Sequence, residues 1–407
     1  MKEQSIGINN ETGLLNAEFF DNPYPTFSKL RYIDPIHWSE ERSSWLVTRY
    51  QDVRDYLRDP RLSAKRDKRQ ITQLSSAQRT HVEPLRDFYS NWLLYLDAPD
   101  HTRLRKSVSK VFTPAVIEKR KDEIETMTND THGKLLGKSK FDLLHDFASP
   151  LAIAVVANTL GMDAKDYEKV KTWSDDIVGF VVGKTEGYDS ALAAQESFEH
   201  FSSHLNTIFS THEIFPHTSV LSSLMSAQTD GIISRREASA IYGNLLLDGH
   251  EPIANGIANG MLSLMRHPQQ MDLLRRNPDL GSRATEELLR YESPFPLSAR
   301  LANEDIGVGN KKISKGQKIF LMLGSANRDP EYFSDPDNLD LTRDANKHLT
   351  FAAATHYCLG ATLARPTLQI AYRSLLEGFP SMKLAKEKIE WQPSLGVREL
   401  KGLPVIV

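Results

Sequence analysis

The stretch LTFAAATHYCLGATLARP, residues 349–366, surrounds Cys358, the only cysteine in the chain. A helical pattern follows at Ala361–Leu376, so Cys358 is predicted to lie in a loop of small residues just ahead of a helix N-terminus. A thiolate at that place gains from the helix dipole and from free backbone N–H groups. The alanines at positions 352–354 allow close approach by a planar group. A lone cysteine is more often an inert core residue, but a thiolate is also one of the few side chains that ligate haem iron.

Composition and charge exclude several classes of protein. The chain has 407 residues, with 50 Lys and Arg against 53 Asp and Glu, which gives a formal net charge of −3. A dedicated nucleic-acid-binding protein normally shows a basic excess, so no nucleic-acid partner is expected. One cysteine permits neither an intrachain disulfide nor a zinc or iron–sulfur site built from several cysteines.

The sequence predicts a soluble, cytoplasmic protein. The N-terminal residues MKEQSIGINNETGLL lack the apolar core of a signal peptide, and no run of eighteen apolar residues occurs. No membrane insertion is therefore expected. No repeat, low-complexity tract or long linker marks a boundary, so residues 1–407 are predicted to form a single domain.

The distribution of patterns predicts a mainly α, α+β architecture with small β-sheets near both ends of the chain. Strand-like runs occur at Ser44–Tyr50, at Lys318–Gly324 and near the C-terminus at Glu399–Val407. Between Asp100 and Leu289 the pattern is almost wholly helical. Long helical and short strand regions in this arrangement are typical of one mainly α domain.

One long helix is predicted from about Arg235 to Arg266, with Ser234 and Glu237 as its capping box. A helix of about 32 residues spans about 48 Å, enough to cross a domain. A polar stripe runs along it, formed by Asn244, Asp248, Glu251, Asn255 and Asn259. The stripe fits either a solvent-exposed face or a buried polar groove. Nearby glycines and Pro252 suit a place where a flat group lies against the helix or water enters it.

The cysteine segment resembles the loop that defines the cytochrome P450 family, F-G-x-G-x-H/R-x-C-x-G followed by x-x-L-A-R. Phe351, His356, Cys358 and Gly360 match it, whereas Ala352 and Ala354 replace two glycines, which predicts a slightly shifted loop. The resemblance implies haem b as cofactor and Cys358 as the axial iron ligand. It implies His356 as a partner of a haem propionate, and Phe351 and Gly360 as residues of the haem-binding loop.

Other segments match the family in the right order. Glu287 and Arg290 fit its E-x-x-R motif, and Arg343 matches the residue that completes this ion-pair network. His101 and Arg105 lie four residues apart on one predicted helix face, as two contacts to one propionate edge require. With Arg300, they are the further propionate partners that the resemblance implies. The resemblance covers essentially the whole chain and implies a single-domain cytochrome P450 fold with a long central distal helix.

In this family the distal helix carries the motif A/G-G-x-D/E-T above the iron. Here the motif reads Asp248-Gly249-His250-Glu251-Pro252. Gly249, which lies against the haem in the family, and Glu251 match, but Pro252 replaces the alcohol that guides protons to bound oxygen. The resemblance therefore makes Asp248, Glu251 and Pro252 the candidate catalytic positions. We expect Asp248 to face the haem pocket, where it either relays protons or binds a polar or cationic group of the substrate.

The resemblance implies a haem-thiolate monooxygenase that inserts one oxygen atom of O2 into a C–H or C=C bond. Its variable recognition segments correspond to 73–92, 180–182, 244–248, 295–298 and 395–397. The mixed polarity of these segments suits a mid-sized, partly oxygenated molecule, with a natural-product intermediate such as an antibiotic precursor as the expected substrate. The candidate substrate contacts are Asn244, Asp248, Phe295, Leu297 and Leu395.

No flavin or iron–sulfur domain is fused to the chain, so the resemblance implies a separate electron donor, a ferredoxin or flavodoxin with its reductase. This donor is expected to dock on the cysteine side, near basic residues that suit an ordinary solvated surface equally well: Arg103, Lys106, Lys110 and Arg365.

Two further interpretations remain open. The missing alcohol at Pro252 also fits an atypical haem-thiolate enzyme that is driven by peroxide or performs coupling or desaturation. A protein that binds haem or another ligand without catalysis is the third possibility, although Glu251 and the complete cysteine loop argue against it. A cysteine hydrolase is disfavoured because His356 and Cys358 lack an orienting third group within reach.

Overall fold

The helices occupy most of the chain, as the periodicity predicted. The computed structural model describes residues 16–65, 74–181, 185, 187–210, 216, 218–344 and 346–407. Its α-helices, numbered α1 to α18 in chain order, are Ala17–Asp21, Tyr24–Ile33, Tyr50–Tyr56, Ser76–His81, Glu83–Tyr89, Asp100–Ser109, Pro114–Glu118, Lys121–Gly133, Ser149–Leu160, Tyr167–Val181, Tyr188–Ser210, Val220–Thr229, Arg235–Leu247, Glu251–Arg266, Pro268–Arg276, Gly281–Tyr291, Leu323–Ala326 and Ala361–Gly378. A π-helical turn, Leu143–Ala148, leads directly into α9.

Short strands from distant parts of the chain form three small sheets. In chain order β1 to β10 are Ile36–Ser39, Ser44–Val47, Leu62–Ser63, Lys140–Asp142, Ser298–Ala302, Ile306–Val308, Lys311–Ile313, Lys318–Leu321, Lys383–Leu384 and Pro404–Ile406. The largest sheet has the order β1-β2-β8-β5-β3, a second has the order β4-β10-β9, and β6 pairs with β7. Within the largest sheet β2 and β8 run parallel, and the other pairs are antiparallel.

Two of the hydrophobic cores hold the segment around Cys358 from opposite sides. The helical core is built from the buried faces of the central helices and includes the start of α18, with Ala361 and Leu363. The second core lies on one face of the largest sheet and contains Val47, Ile319 and Ala353. Ala353 belongs to the loop before Cys358, so this loop is held between the sheet and the helices.

The long distal helix is broken in two, and the prediction of one continuous helix from Arg235 to Arg266 is wrong. The capping box of Ser234 and Glu237 is present as predicted, but α13 ends at Leu247 and α14 begins at Glu251. Pro252 has no N–H to donate to the carbonyl of residue 248, and its ring crowds that carbonyl. The helical hydrogen bonds resume where Ile253 N donates to His250 O at 3.1 Å.

Side chains take over the carbonyl groups that this break releases. In a continuous helix, the carbonyls of Leu246 and Leu247 would accept hydrogen bonds from the N–H groups of residues 250 and 251. Instead, the Ser174 hydroxyl of α10 donates to Leu247 O at 3.0 Å, and His250 Nδ1 lies 3.1 Å from Leu246 O. Both contacts are buried. The break is therefore a satisfied structure, with α10 bonded directly to it.

The polar stripe of the distal helices is a buried groove and not a solvent-exposed face. Asn255 and Asn259 are 2% and 0% exposed, and Asn244 is also buried. Asn259 Nδ2 donates to the backbone carbonyl of Arg398 at 2.8 Å, which joins α14 to the C-terminal loop. The buried interpretation of the stripe is therefore the correct one.

One segment has the length and hydropathy of a membrane span. It is Leu143–Leu160, formed by the π-helical turn and α9, and 67% of it is buried inside the fold. Burial of this extent is what a core helix of a globular protein shows.

Candidate functional site

A cavity of about 710 Å³ lies between the broken distal helix, the cysteine loop and the largest sheet. Cys358 lines it, and the accessible surface of this cysteine faces this interior space. Asp248, Gly249 and Pro252 from the helix break line the same cavity. The structure therefore brings the cysteine loop and the atypical distal motif together around one space.

The cysteine loop keeps a tight geometry although two of its residues are alanines. Ala352 and Ala354 have φ values of 56° and 58°, in the left-handed region that glycine adopts most easily. Ala352 N donates to Leu349 O at 2.8 Å, and Cys358 N donates to Phe351 O at 2.9 Å. The two alanines thus adopt the left-handed conformation that the family's glycines favour.

Two opposing influences act on the Cys358 thiol. Burial raises its pKa, whereas backbone N–H groups of Gly360 and Ala361 and the Arg105 guanidinium act to lower it. These amides belong to the N-terminus of α18, the 18-residue helix Ala361–Gly378. The helix N–H groups act on the sulfur as predicted, but burial has the larger effect on the pKa of the thiol.

Four basic side chains converge along one edge of the cavity: His101, Arg105, Arg300 and His356. The rings of His101 and His356 lie 4.2 Å apart, and Arg105 Nη2 donates to Tyr357 O at 2.6 Å. Burial lowers the pKa of His101, and the positive charges of Arg105 and Arg300 lower it further against the opposing effect of Asp97.

These residues fit the haem that the resemblance implies. A thiol faces the cavity from one loop, and a positive edge beside it suits the propionates of a flat cofactor. The loop that carries the thiol exposes Ala352 to the cavity and keeps Ala353 in the core behind it, so little bulk stands over the backbone.

The predicted ion-pair network behind the loop is formed. Glu287 and Arg290 are both fully buried, with Arg290 Nε donating to Glu287 Oε2 at 2.7 Å. Arg343 Nε and Asn346 Nδ2 donate to the same carboxylate oxygen at 3.1 and 2.9 Å. The N–H of Asp340 adds a hydrogen bond of 3.0 Å to the other oxygen. This network fixes the segment that leads into the cysteine loop.

Glu251, the acid that matches the family motif, is not among the described residues that line the cavity, whereas Asp248 is. The sequence put both acids on one stripe of a continuous helix. Because the chain leaves the helix at Asp248 and re-enters it at Glu251, the two carboxylates no longer follow the angles of that stripe.

The candidate substrate contacts lie together. Asn244, Phe295, Leu297 and Leu395 all line the cavity. The other predicted recognition segments also contribute, through residues such as Tyr89 and Phe180–Val181. Gln73 and Val182, which belong to two of these predicted segments, lie outside the described residues.

One buried arginine holds the loops on which these contacts stand. Arg398 Nε donates to Glu292 Oε1 at 2.8 Å, and its backbone N–H donates to Pro294 O at 2.8 Å. Its Nη1 and Nη2 donate to the carbonyls of Phe20 and Asp21, the latter at 2.9 Å. Arg398 therefore ties the N-terminal segment to both cavity-lining loops.

Three charged residues of the cavity wall were not predicted from the sequence. Glu41 and Arg42 come from the turn between β1 and β2, and Lys318 begins β8. No motif surrounds these residues. The alternation in Lys318–Leu321 does place Lys318 and Phe320 on one face of a strand. It does not show which face of the strand meets the cavity.

The basic residues on the cysteine side differ in their surroundings. Arg103 lies 2.5 Å from Glu237 Oε1, and Arg365 Nε lies 2.7 Å from Glu286 Oε1. Lys106 and Lys110 are exposed.

Comparison with known proteins agrees with this geometry. The cytochrome P450 family model matches residues 282–399. The biotin biosynthesis cytochrome P450 of Bacillus subtilis strain 168 is 34% identical over 398 residues, 96% of this chain and 97% of the relative. The polyketide biosynthesis cytochrome P450 PksS of the same organism is 33% identical, over 95% of this chain and 96% of its own.

Solved structures are similar over nearly the whole length. P450BioI, in complex with an acyl carrier protein ligated to hexadec-9Z-enoic acid, has a TM-score of 0.88 at 33% identity, covering 96% of this chain and 100% of its own. The tirandamycin C-bound monooxygenase TamI has a TM-score of 0.84 at 34% identity, covering 96% and 99%.

Proposed function

This chain belongs to the cytochrome P450 family, and on that premise we propose a specific activity for it. It is a monooxygenase that inserts one oxygen atom of O2 into a C–H or C=C bond of a mid-sized, partly polar small molecule. The substrate is a natural-product biosynthetic intermediate. The relatives support the substrate class, because one carries the name of polyketide biosynthesis and another holds tirandamycin C.

The whole chain, residues 1–407, acts as one haem-thiolate domain in this proposal. Two sheets join distant segments, since β2 pairs with β8 and β4 pairs with β10. The similarity to the relatives also extends over 96% of the chain. A division into independent units would separate strands that pair with each other.

The cofactor is haem b, as in the rest of the family. When bound, haem would supply the activation of oxygen. Cys358 would hold its iron through the thiolate, and the N–H groups of Gly360 and Ala361 offer hydrogen bonds to the sulfur. The positive edge of the cavity would hold its propionates through His101, Arg105, Arg300 and His356.

One observation carries the proposal. Cys358 and the Asp248–Pro252 break line the same cavity. The acid therefore faces the space in which a ligand of the iron would be transformed. Glu251 does not line this space.

Asp248 accordingly takes the role that the missing alcohol performs elsewhere in the family. Pro252 has neither a donor nor an acceptor in its side chain. The Asp248 carboxyl holds a proton at the cavity wall and passes it inwards, directly or through one water. Asn244, one helical turn earlier, and the apolar side chains of Phe295, Leu297 and Leu395 orient the substrate beside it.

Comparison of the two acids tests this role without knowledge of the substrate. The haem-loaded enzyme is supplied with electrons by a surrogate ferredoxin and its reductase, and its steady-state oxygen consumption is followed in H2O and D2O. Asp248→Asn should slow this proton-dependent turnover by about 10²-fold, a typical general-acid contribution. Glu251→Gln, the matched control, should remain within about twofold of wild type. A slow Glu251→Gln variant beside an unchanged Asp248→Asn variant would assign the proton to Glu251.

The electrons come from a ferredoxin or flavodoxin with its reductase, and the enzyme works in the cytoplasm. The donor docks on the cysteine side, where Lys106 and Lys110 are exposed and Arg103 and Arg365 are partly buried. Charge complementarity of this kind mainly accelerates encounter, so Lys106→Glu should slow reduction of the haem more at low than at high salt.

The carbon monoxide difference spectrum of the dithionite-reduced protein tests the cofactor assignment. Wild type should give the red-shifted Soret band of a thiolate-ligated haem, and Cys358→Ser should lose it. A band that survives the substitution would place the ligand elsewhere and remove the basis of the proposal.

A peroxide-driven enzyme is the second candidate, favoured by Pro252 alone. Such an enzyme needs no delivery of protons to O2, so the lost alcohol would cost it little. Product formation with hydrogen peroxide, at a rate equal to or above that with the redox partners, would favour this alternative. Haem binding with no turnover by either route would point to a non-catalytic protein.

A further inference from the structure

Charged side chains line the cavity both at the helix break and at the β1–β2 turn. Among the described residues that line it, the carboxylates are Asp248 at the helix break and Glu41 in the β1–β2 turn. Arg42 and Lys318 line the wall near Glu41. Glu41 and Pro393 are exposed there, whereas Arg42 and Lys318 are half-buried, so this end is the mouth of the cavity.

The sheet separates Lys318 from Arg300 of the propionate edge. Arg300 of β5 pairs with Ile319 of β8, and directly paired residues of antiparallel strands point to the same side. Lys318 precedes Ile319 and therefore points to the opposite side, together with Phe320. Its ammonium lies 5.6 Å from the centre of the Phe320 ring. Lys318 thus stands over the substrate side of the sheet, away from Arg300.

The surroundings of Lys318 support a place in the substrate path. Phe320, Leu297 and Leu395 all pack against one small core that contains Leu46 and Met322, and all three line the cavity. Between the mouth and Cys358 the wall includes further apolar side chains such as Phe295 and Val397. A molecule that fills this space would meet two cations and one carboxylate at the mouth and an apolar wall beyond them.

On the basis of the proposed function, we infer that Arg42 and Lys318 form a subsite for an anionic group of the substrate, a carboxylate or a phosphate. The group stays at the mouth, where the Arg42 guanidinium can bind two of its oxygens and the Lys318 ammonium supplies a point charge. The rest of the molecule extends along the apolar wall towards Cys358. A free acid presents a carboxylate, and the arm of a carrier-bound acyl group presents a phosphate.

Three probes of equal chain length separate these cases. Dodecanoic acid, dodecan-1-ol and the dodecanoyl thioester of 4′-phosphopantetheine are titrated into the haem-loaded enzyme. Binding is followed by the Soret shift and by calorimetry. The variants are Arg42→Gln, Lys318→Gln and the double variant. Lys315→Gln is the matched control, because Lys315 is exposed, precedes β8 and does not line the cavity.

We expect the double variant to weaken binding of at least one anionic probe by tenfold or more and to leave dodecanol within twofold. Lys315→Gln should leave all three probes within twofold. A loss of affinity for dodecanoic acid alone would identify a free acid as the substrate type. A loss of affinity for the phosphopantetheine thioester alone would identify a carrier-bound substrate. Wild-type affinity for the affected probe should also fall with added salt.

The inference is overturned if the double variant loses as much affinity for dodecanol as for the anionic probes, or if it loses affinity for neither anion. It is also overturned if wild type binds neither anion more tightly than dodecanol. The carbon monoxide spectrum of each variant keeps this result separate from the proposed function. An intact thiolate band with an overturned subsite would leave the monooxygenase assignment in place. A missing band in wild type would refute that assignment, whatever the calorimetry shows.

Discussion

Replacement of Ala354 by glycine should stabilise the protein, although it lies four residues from the axial cysteine. Ala354 has φ of 58°, where a Cβ atom crowds the following carbonyl group. Its side chain is exposed, and Ala354 is not among the described residues that line the cavity. The substitution therefore removes strain without removal of a packing contact.

The expected gain follows from two opposing terms. A left-handed conformation costs a non-glycine residue about 1–2 kcal/mol. Glycine offsets part of this gain, by about 0.4–1 kcal/mol, because an unfolded chain with glycine loses more conformational entropy on folding. The free energy of unfolding of Ala354→Gly should thus exceed that of wild type by about 0.5–1 kcal/mol.

Ala353 provides the matched control within the same loop. Its backbone is extended, with φ of −153°, and its side chain is 8% exposed in the core under the sheet. Ala353→Gly relieves no strain, loses a buried methyl worth about 0.8 kcal/mol and adds the same unfolded-state penalty. It should destabilise the protein by about 1–2 kcal/mol.

Urea unfolding of the haem-loaded enzyme, followed by tryptophan fluorescence, measures both variants on one scale. The two should differ by about 2 kcal/mol, with wild type between them. If Ala354→Gly is destabilised as much as Ala353→Gly, the left-handed alanine carries no strain and our reasoning about the loop is refuted. The rate of haem release gives a second readout, because a strained loop should release the cofactor faster.

Three further substitutions probe other parts of the fold. Glu287→Ala leaves the fully buried Arg290 without its carboxylate and should cost about 3–5 kcal/mol in urea unfolding; a loss under about 1 kcal/mol would contradict the network. Arg103 lowers the pKa of Glu237 from 4.5 to about 2. Since the folded pKa is the lower one, the stability advantage of wild type over Glu237→Gln should be complete above about pH 4.5 and vanish as pH falls towards 2; a difference independent of pH would refute this. Ser174→Ala removes the donor to Leu247 O and should speed amide hydrogen exchange in α13 and α10 near the break, by an amount that Ser174→Thr partly restores; exchange equal to wild type in both would show that the contact does not hold the break.

Local patterns predicted the cysteine loop and the ion-pair network. The contacts within 349–366 depend on neighbours in sequence, and the Glu287–Arg290 pair lies within one helical turn. The conformation of the loop persists with alanines at 352 and 354 because the surrounding structure, with Ala353 in the sheet core, outweighs their preference. Sequence alone therefore predicted a cysteine loop and a set of basic residues that the structure places around one cavity.

The break in the distal helix and the mouth of the cavity depend on contacts between distant segments. Pro252 signalled a disturbance, but a kinked helix and a break give the same sequence pattern. Ser174, about seventy residues earlier in the sequence, donates its hydrogen bond to Leu247 O only once the protein has folded. In the same way, Lys318 lies beside the end of the β1–β2 turn because β8 pairs in parallel with β2, with Ser44 opposite Lys318, and no local signal fixes that register.

The contacts of Arg398 also bear on how late in folding the cavity is completed. Its guanidinium bonds Phe20 and Asp21 across sequence separations of 378 and 377 residues, and its backbone N–H bonds the loop of Pro294. Closing so long a loop costs more chain entropy than forming the contacts within helices. The helical core can therefore form from local contacts first, whereas both cavity-lining loops are anchored only when segments from opposite ends of the described chain have met.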